Sequence, residues 1–220
     1  MLHMIRDKIM RRRIGMSLCG VVICAVAVSF FKMAAFGVDP FQSLMSGLDQ
    51  WIPIPFGTLY MIVNGVLLIF SLVFNRHNIG IATFINLFLL GYITQFSLEM
   101  LQKWIPEAGI GLRILFLAIG IIVMCIGSAL YMTADLGVST YDSVAITMAY
   151  KWKWGKFQYI RIATDLVCVL LGIAFFLIGG ATWGQVPEIV GIGTIITAFF
   201  MGPLIEFFNV HIARPLLKRQ

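Results

Sequence analysis

Apolar residues along the chain fall into six long runs separated by short polar stretches. The runs cover about residues 14–36, 56–74, 80–101, 112–132, 157–177 and 190–210. Crossing a hydrocarbon core of about 30 Å takes about 20 helical residues. Each run is long enough to do so, and the pattern predicts an all-α membrane protein with six transmembrane helices.

Composition supports lipid as the solvent for these helices. The chain has 220 residues, of which 60% are hydrophobic and 12% charged, whereas soluble domains carry about 25% charged residues. The net charge of +6 comes from basic residues at the ends of the apolar runs. Because these residues are not interleaved with aromatic ones in a groove-like pattern, we expect the lipid bilayer as a partner and no nucleic acid.

Basic residues mark alternate ends of the predicted helices. One set flanks the termini and two connections: Arg6, Lys8, Arg11, Arg12, Arg13, Arg76, Lys151, Lys153, Lys156, Arg214, Lys218 and Arg219. The other ends carry Lys32, Lys103 and Arg113. Positive residues favour the cytoplasmic side of a membrane, so twelve against three predicts that both termini are cytoplasmic.

The chain also matches itself. Residues 37–43 align with 137–143 at an offset of 100, and residues 80–96 align with 191–207 with seven identities in seventeen. We interpret this as one membrane domain, 1–220, with repeat 1 at about 13–102, repeat 2 at about 112–210, and residues 1–13 as a basic cytoplasmic N-terminus.

Three spans in each repeat give the second repeat the opposite orientation to the first. Such inverted repeats are common among secondary transporters. A duplicated packing scaffold that transports nothing is the alternative.

Each repeat has a short segment after its first span, about residues 40–48 and 140–150. Asp39 can cap the first segment, with Pro40 at its first helical position, and Ser139 can cap the second, with Asp142 three residues later. Two interpretations stay open. The segments are either half-helices that dip into the membrane or interfacial helices that lie flat on opposite surfaces.

Charged and polar residues also occur inside the predicted spans. Asp165 lies about 12 Å along its helix from residue 157, close to the midplane. Arg161 is one turn away, and Glu206 lies at a depth that offers it a second carboxylate. Asn64 is near the midplane in the first repeat. Intramembrane charges are costly and often functional, although an ion network that locks two helices together is the alternative.

A family resemblance rests on the repeated motif. Gly37-Val-Asp-Pro-Phe-Gln-Ser43 and Gly137-Val-Ser-Thr-Tyr-Asp-Ser143, with Gly-x-x-Thr-x-Ile in the closing helix of each half, resemble the YczE/YyaS/YitT group of bacterial membrane proteins. The second copy has Thr140 where proline is more typical. The resemblance implies a multi-pass protein of the bacterial plasma (inner) membrane and supplies no ligand or functional residues.

We expect a small-solute transporter or permease with a polar cavity between the repeats. The candidate substrate or ion site comprises Asp165, Arg161, Asn64, Glu206, Asp39, Ser139 and Asp142. Neither enzyme activity nor a cofactor or metal is expected. The alternatives are a substrate-binding subunit of a multi-component importer and a non-transporting scaffold or regulator. The expected partners are an unknown solute and either further copies of the chain or an energising subunit.

Overall fold

A computed structural model of the chain describes residues 2–218, without the side chains of residues 2–8, 158 and 218. The side chains of Arg6, Lys8 and Lys218 and the whole of Arg219, which contribute to the predicted orientation, therefore lie outside the described part. Within the described part, the chain forms helices and no strands. The helices are α1 (Leu2–Ala34), α2 (Pro40–Trp51), α3 (Phe56–Phe74), α4 (Ile81–Trp104), α5 (Ile110–Ala134), α6 (Thr140–Ile146), α7 (Phe157–Ile178), α8 (Val186–Ile189), α9 (Ile192–Phe208) and α10 (Arg214–Lys218).

Within residues 2–218, six segments are long and apolar enough to span a membrane, as predicted. They are Ile9–Ala34, Phe56–Phe74, Ile81–Trp104, Ile110–Ala134, Tyr159–Ile178 and Trp183–Leu217. Large apolar side chains on them point outward: Phe96 is 64% exposed and Phe199 is 74% exposed. Such a surface is stable only against lipid, so the chain is a multi-pass membrane protein.

The connections alternate between two ends of the bundle. We call the end with residues 75–80, 151–156 and 209–218 the terminal face, where the Lys151 ammonium donates to the Phe74 carbonyl. The end with residues 52–55, 105–109 and 179–185 is the opposite face. There Arg113 donates to the Ala34 carbonyl at 2.8 Å, which ties α5 to the end of α1.

Helices α1 and α5 cross at the centre of the bundle through paired glycines. A Cβ on Gly20 would lie 2.7 Å from the Gly127 carbonyl oxygen, and a Cβ on Gly120 would lie 3.3 Å from the Phe31 ring. Small residues let helix backbones approach closely, which is how membrane helices associate without a hydrophobic driving force. The crossing therefore forms the core between the two halves.

The turns that follow α1 and α5 have the same backbone conformation. Ala35 and Asp135 have φ of 51° and 50°, and Gly37 and Gly137 have φ of 94° and 111°. A left-handed conformation at both positions reverses the chain sharply out of a helix, and the second position favours glycine. The sequence motif thus encodes one turn twice.

Each turn is hydrogen-bonded to the segment before the last spanning helix of the other half. Val38 N–H donates to the Ile189 carbonyl at 3.2 Å, and Val138 N–H donates to the Asn78 carbonyl at 3.1 Å. Additional side-chain support comes from Thr83 Oγ1, which donates to the Val138 carbonyl at 2.7 Å. The two halves therefore exchange equivalent contacts.

Candidate functional site

The short helices α2 and α6 begin with the caps that the sequence predicts. Asp39 Oδ1 accepts from Gln42 N–H at 3.2 Å, with Pro40 in the first turn of α2. Ser139 Oγ accepts from Asp142 N–H at 3.0 Å. Both caps satisfy backbone donors that would otherwise be unpaired at a helix start.

The beginnings of α2 and α6 meet inside the bundle. The rings of Phe41 and Tyr141 stack with centroids 4.9 Å apart, and both side chains are buried. From this contact α2 runs to the opposite face, where Gln50 packs on Gly179. The segment after α6 runs to the terminal face. Flat helices on surfaces about 30 Å apart could not touch in this way, so the contact fits half-helices and does not fit interfacial helices.

Four residues of the second half form a polar group beside this contact, which we call the central cluster: Asp142, Arg161, Asp165 and Tyr141. The Arg161 guanidinium pairs with the Asp142 carboxylate, and its Nε lies 3.4 Å from Asp165 Oδ1. The Tyr141 hydroxyl donates to Asp165 Oδ1 at 2.5 Å. The predicted pairing of Arg161 with Asp165 is confirmed.

Sequence reasoning missed the bond between Arg161 and Asp142. The sequence places Asp142 in the candidate site as part of the cap of α6, where its Oδ2 accepts from Ser139 Oγ at 2.7 Å, and does not predict its pairing with Arg161. The sequence feature that points to this pair is the position of Asp142 in the first turn of α6, because a half-helix that enters the membrane brings its first turn to the depth of Arg161.

The expected role of Glu206 beside Arg161 is wrong. Glu206 Oε1 pairs with Arg214 at 3.0 Å, and its side chain is 58% exposed. The helical path continues beyond α9 through a π-helical turn at Asn209–Ala213. Arg214 therefore reaches back to Glu206 at the terminal face, and Glu206 does not join the central cluster.

Asn64 is the first-half counterpart of Asp165. Each stands eight residues after the start of its helix, at Phe56 in α3 and Phe157 in α7. Asn64 Oδ1 accepts from Thr140 Oγ1 at 2.6 Å, so it joins the two halves at the start of α6.

Asp39 lies between the spanning helices and is half-buried at the start of α2. Burial raises the pKa of its carboxyl to about 6, while the Gln42 amide that it accepts from opposes the rise. The charges of Asp165 and Arg161 also reach it. Among the described side chains it forms no ion pair, because Arg161 is engaged by two other carboxylates.

A recess of about 370 Å³ opens toward the opposite face, away from the place where the sequence predicts a cavity. All of its lining residues come from the first half, including Lys32, Asp49, Phe56, Gln95 and Glu99. Asp165 and Asn64 do not line it. The recess therefore lies within the first half beside the loop 52–55, whereas the predicted cavity lay between the halves.

The six helices of the described part that are long and apolar enough to span a membrane define this chain as a multi-pass integral membrane protein. It belongs to the family of unknown function DUF6198, whose model matches residues 11–210. It is similar to the uncharacterized membrane protein YczE of Bacillus subtilis, with 25% identity over 86% of this chain and 81% of that protein. YyaS of the same organism is 21% identical over 91% of this chain and 94% of its own length.

An uncharacterized protein of Haemophilus influenzae is 24% identical over 92% of this chain and 86% of that protein. No solved structure matches the chain. The expected resemblance to YczE and YyaS is thus confirmed. These relatives establish the family and its membrane setting, and the chemistry of the site comes from the residues of this chain.

Proposed function

We propose that this protein is a small-solute transporter or permease whose path runs between its two halves at the central cluster. The observation that carries the proposal is the meeting of two half-helix starts, at Phe41 and Tyr141, beside a half-buried ion-pair cluster. A bundle built only for packing has no need of helices that break at its centre. In known transporters, broken helices mark the substrate site.

The chemistry at the centre suits a polar solute. The N–H groups at a helix start carry a partial positive charge, and the Arg161 guanidinium adds a full one. Asp165 and Asp39 supply carboxylates that could bind a cation or exchange a proton. In this proposal Asn64 is the uncharged wall of an asymmetric site.

The duplicated turns support an inverted repeat with a pseudo-two-fold axis in the membrane plane. The Phe41–Tyr141 stack joins equivalent residues of the two motifs, so the axis passes through it. A pair of related halves has two equivalent ways to tilt against each other, which open the centre to one side and then to the other.

The proposed location is the bacterial plasma membrane, with the terminal face in the cytoplasm. Support comes from the basic residues that collect at that face. Reporter fusions at the C-terminus test this, since alkaline phosphatase is active only outside the cytoplasm. The proposal expects an inactive phosphatase fusion and a fluorescent green-fluorescent-protein fusion.

A second candidate is a non-transporting scaffold or regulator. It is favoured by the dense packing of the centre, where Phe31 and Met45 are both 0% exposed, and by a recess that Asp165 does not line. A scaffold keeps its centre closed from both sides, whereas a transporter opens it to each side in turn.

Thiol accessibility separates the two candidates. A Phe41→Cys variant, in a background without Cys19, Cys24, Cys125 and Cys168, is exposed to a membrane-impermeant thiol reagent on one side of the membrane at a time. The transporter expects labelling from both sides. Ser29→Cys is the control, because Ser29 is 0% exposed between α1 and α4 and should stay unlabelled. Labelling of Phe41→Cys from neither side contradicts transport.

A further inference from the structure

The recess at the opposite face carries charges of both signs at its wall. Lys32 comes from α1, Asp49 from α2 and Glu99 from α4. None of these residues belongs to the central cluster, and Lys32 enters the sequence analysis only as a marker of orientation. Charged groups of both signs around one open recess of about 370 Å³ make it a candidate site for a small polar ligand.

Lys32 is the most constrained of these groups. Its side chain is 13% exposed, and its Nζ lies 3.5 Å from the centroid of the Phe56 ring. The nearest carboxylate oxygen, on Asp49, is 3.7 Å away, which is an ion pair beyond normal hydrogen-bond distance. An ammonium held in this way keeps N–H donors for an anionic group.

The start of α3 adds to the positive side of the recess. Phe56 is its first residue, and the preceding Pro55 provides no side-chain cap. One backbone donor of this turn, Gly57 N–H, is taken by Gln95 Oε1 at 3.1 Å. The partial positive charge of the helix start therefore faces the same wall as Lys32.

The negative side of the recess consists of Asp49 and Glu99. Glu99 is exposed and accepts from Gln95 Nε2 at 2.9 Å, which holds its carboxylate at the mouth. Asp49 is about one-third exposed. Two carboxylates beside one ammonium repel a simple anion, while Lys32 and the start of α3 repel a simple cation.

We propose that the recess binds a small zwitterion of the amino-acid type. Its carboxylate lies at Lys32 and the start of α3, and its ammonium lies at Glu99 and Asp49. The apolar wall formed by Phe56, Ile52, Ile54 and Leu98 takes an apolar side chain. The recess is separate from the central cluster, so the inference goes beyond the proposed function, and it rests on that function only for the fate of the bound solute.

Three matched probes test the charge requirement on the full-length protein in nanodiscs. They are leucine, 4-methylpentanoate, which is leucine without its amino group, and 3-methylbutylamine, which is leucine without its carboxylate. Titration calorimetry should show leucine binding and at least tenfold weaker binding of both other probes. Equal affinities for the three, or absence of leucine binding, overturns the proposal.

Two variants assign the two charged groups. Lys32→Gln should weaken leucine at least tenfold and strengthen 3-methylbutylamine relative to leucine, since only the cation benefits from losing the ammonium. Glu99→Gln should weaken leucine and strengthen 4-methylpentanoate relative to it. A relative increase in affinity for one probe cannot result from a loss of stability, so the test stays informative even if a variant is less stable.

Lys103→Gln and Glu107→Gln are the controls. Both residues are exposed near the same face and neither lines the recess, so both variants should bind leucine as the wild type does. A loss in the controls equal to that in Lys32→Gln contradicts the site. Failure of leucine binding together with two-sided labelling of Phe41→Cys rejects this inference and leaves the proposed transport standing.

Discussion

The two halves use the same backbone devices and different chemistry. Equivalent positions pair Phe41 with Tyr141, Gln42 with Asp142, Tyr60 with Arg161 and Asn64 with Asp165. The second half has an ion cluster at these positions. In the first half, Asn64 bonds with Thr140, and Tyr60 donates to Asn86 at 3.3 Å. Two halves with matching turns can therefore hold a charged group on one side and a neutral polar wall on the other.

This difference separates what the fold requires from what the site requires. Glycine occurs at positions 37 and 137 because both turns require a left-handed backbone conformation. The glycines carry no side chain that could take part in a site. Arg161 has no charged counterpart, so its role is specific to the second half. The following predictions test this separation.

The largest effect is expected at the shared turns. Gly37→Ala and Gly137→Ala should each cost about 4 kcal/mol of unfolding free energy, from a left-handed conformation and a clash with backbone. A Cβ at either position would lie within 2.5 Å of backbone nitrogen in the opposing segment. Gly65→Ala and Gly202→Ala, which meet no atom within 4 Å, are controls in the same thermal-unfolding assay. A small loss of stability in only one of the two variants would contradict the structural equivalence of the two turns.

The next effect concerns Arg161. Arg161→Met leaves two carboxylates without their cation and should cost about 3 kcal/mol, at the low end for breaking an ion pair inside a protein because the Arg161 side chain is 33% exposed. The equivalent change in the first half, Tyr60→Phe, removes one hydrogen bond and should cost about 1 kcal/mol. Adding Asp142→Asn and Asp165→Asn to Arg161→Met should recover part of the loss. Equal losses of stability in Arg161→Met and Tyr60→Phe would contradict the difference between the two halves.

Exchanging the side-chain types of Asn64 and Asp165 should destabilise the protein by unequal amounts. Asn64→Asp places a carboxylate at a site that is 1% exposed, and it should cost about 2 kcal/mol because a buried charge lacks a partner. Asp165→Asn keeps an acceptor for the Tyr141 hydroxyl and should cost about 1 kcal/mol. Chemical denaturation of both purified variants compares them. A larger loss of stability in Asp165→Asn than in Asn64→Asp would contradict the assignment of Asn64 to a neutral site.

The smallest effect is a pH dependence at Asp39. Its pKa is raised from 3.8 to about 6 in the folded protein, so the folded state takes up a proton at a higher pH than the unfolded chain. Lowering the pH from 7 to 5 should therefore stabilise the protein by about 1 kcal/mol through this group. Asp39→Asn retains the cap and should remove that increment. An unchanged pH profile in the variant would place the titration elsewhere.

Much of the fold follows from the sequence because membrane helices leave simple signals. Apolar length gives the six spans, and the caps at Asp39 and Ser139 give the starts of α2 and α6. The pairing of Arg161 with Asp165 follows from their spacing of one helical turn. In each case the contact or boundary is local in the chain.

The errors concern contacts that are distant in the chain or depend on helix continuation. The depth of Glu206 in its helix predicts that it lies near Arg161. Its partner is Arg214 instead, because the helix continues beyond Phe208, which the sequence pattern does not predict. The bond of Asp142 to Arg161 depends on α6 dipping inward. The recess depends on how Lys32, Asp49 and Glu99 meet, and three separate helices determine that.

Motion of the halves is the central claim, and distances between spin labels test it most directly. One pair of labels at Pro53 and Thr182 reports on the opposite face, and a second pair at His77 and Lys153 reports on the terminal face; all four residues are exposed. The account predicts two distances at each face in nanodiscs, with populations that shift in opposite senses at the two faces between pH 7 and 5. A single, unchanged distance at both faces would contradict it.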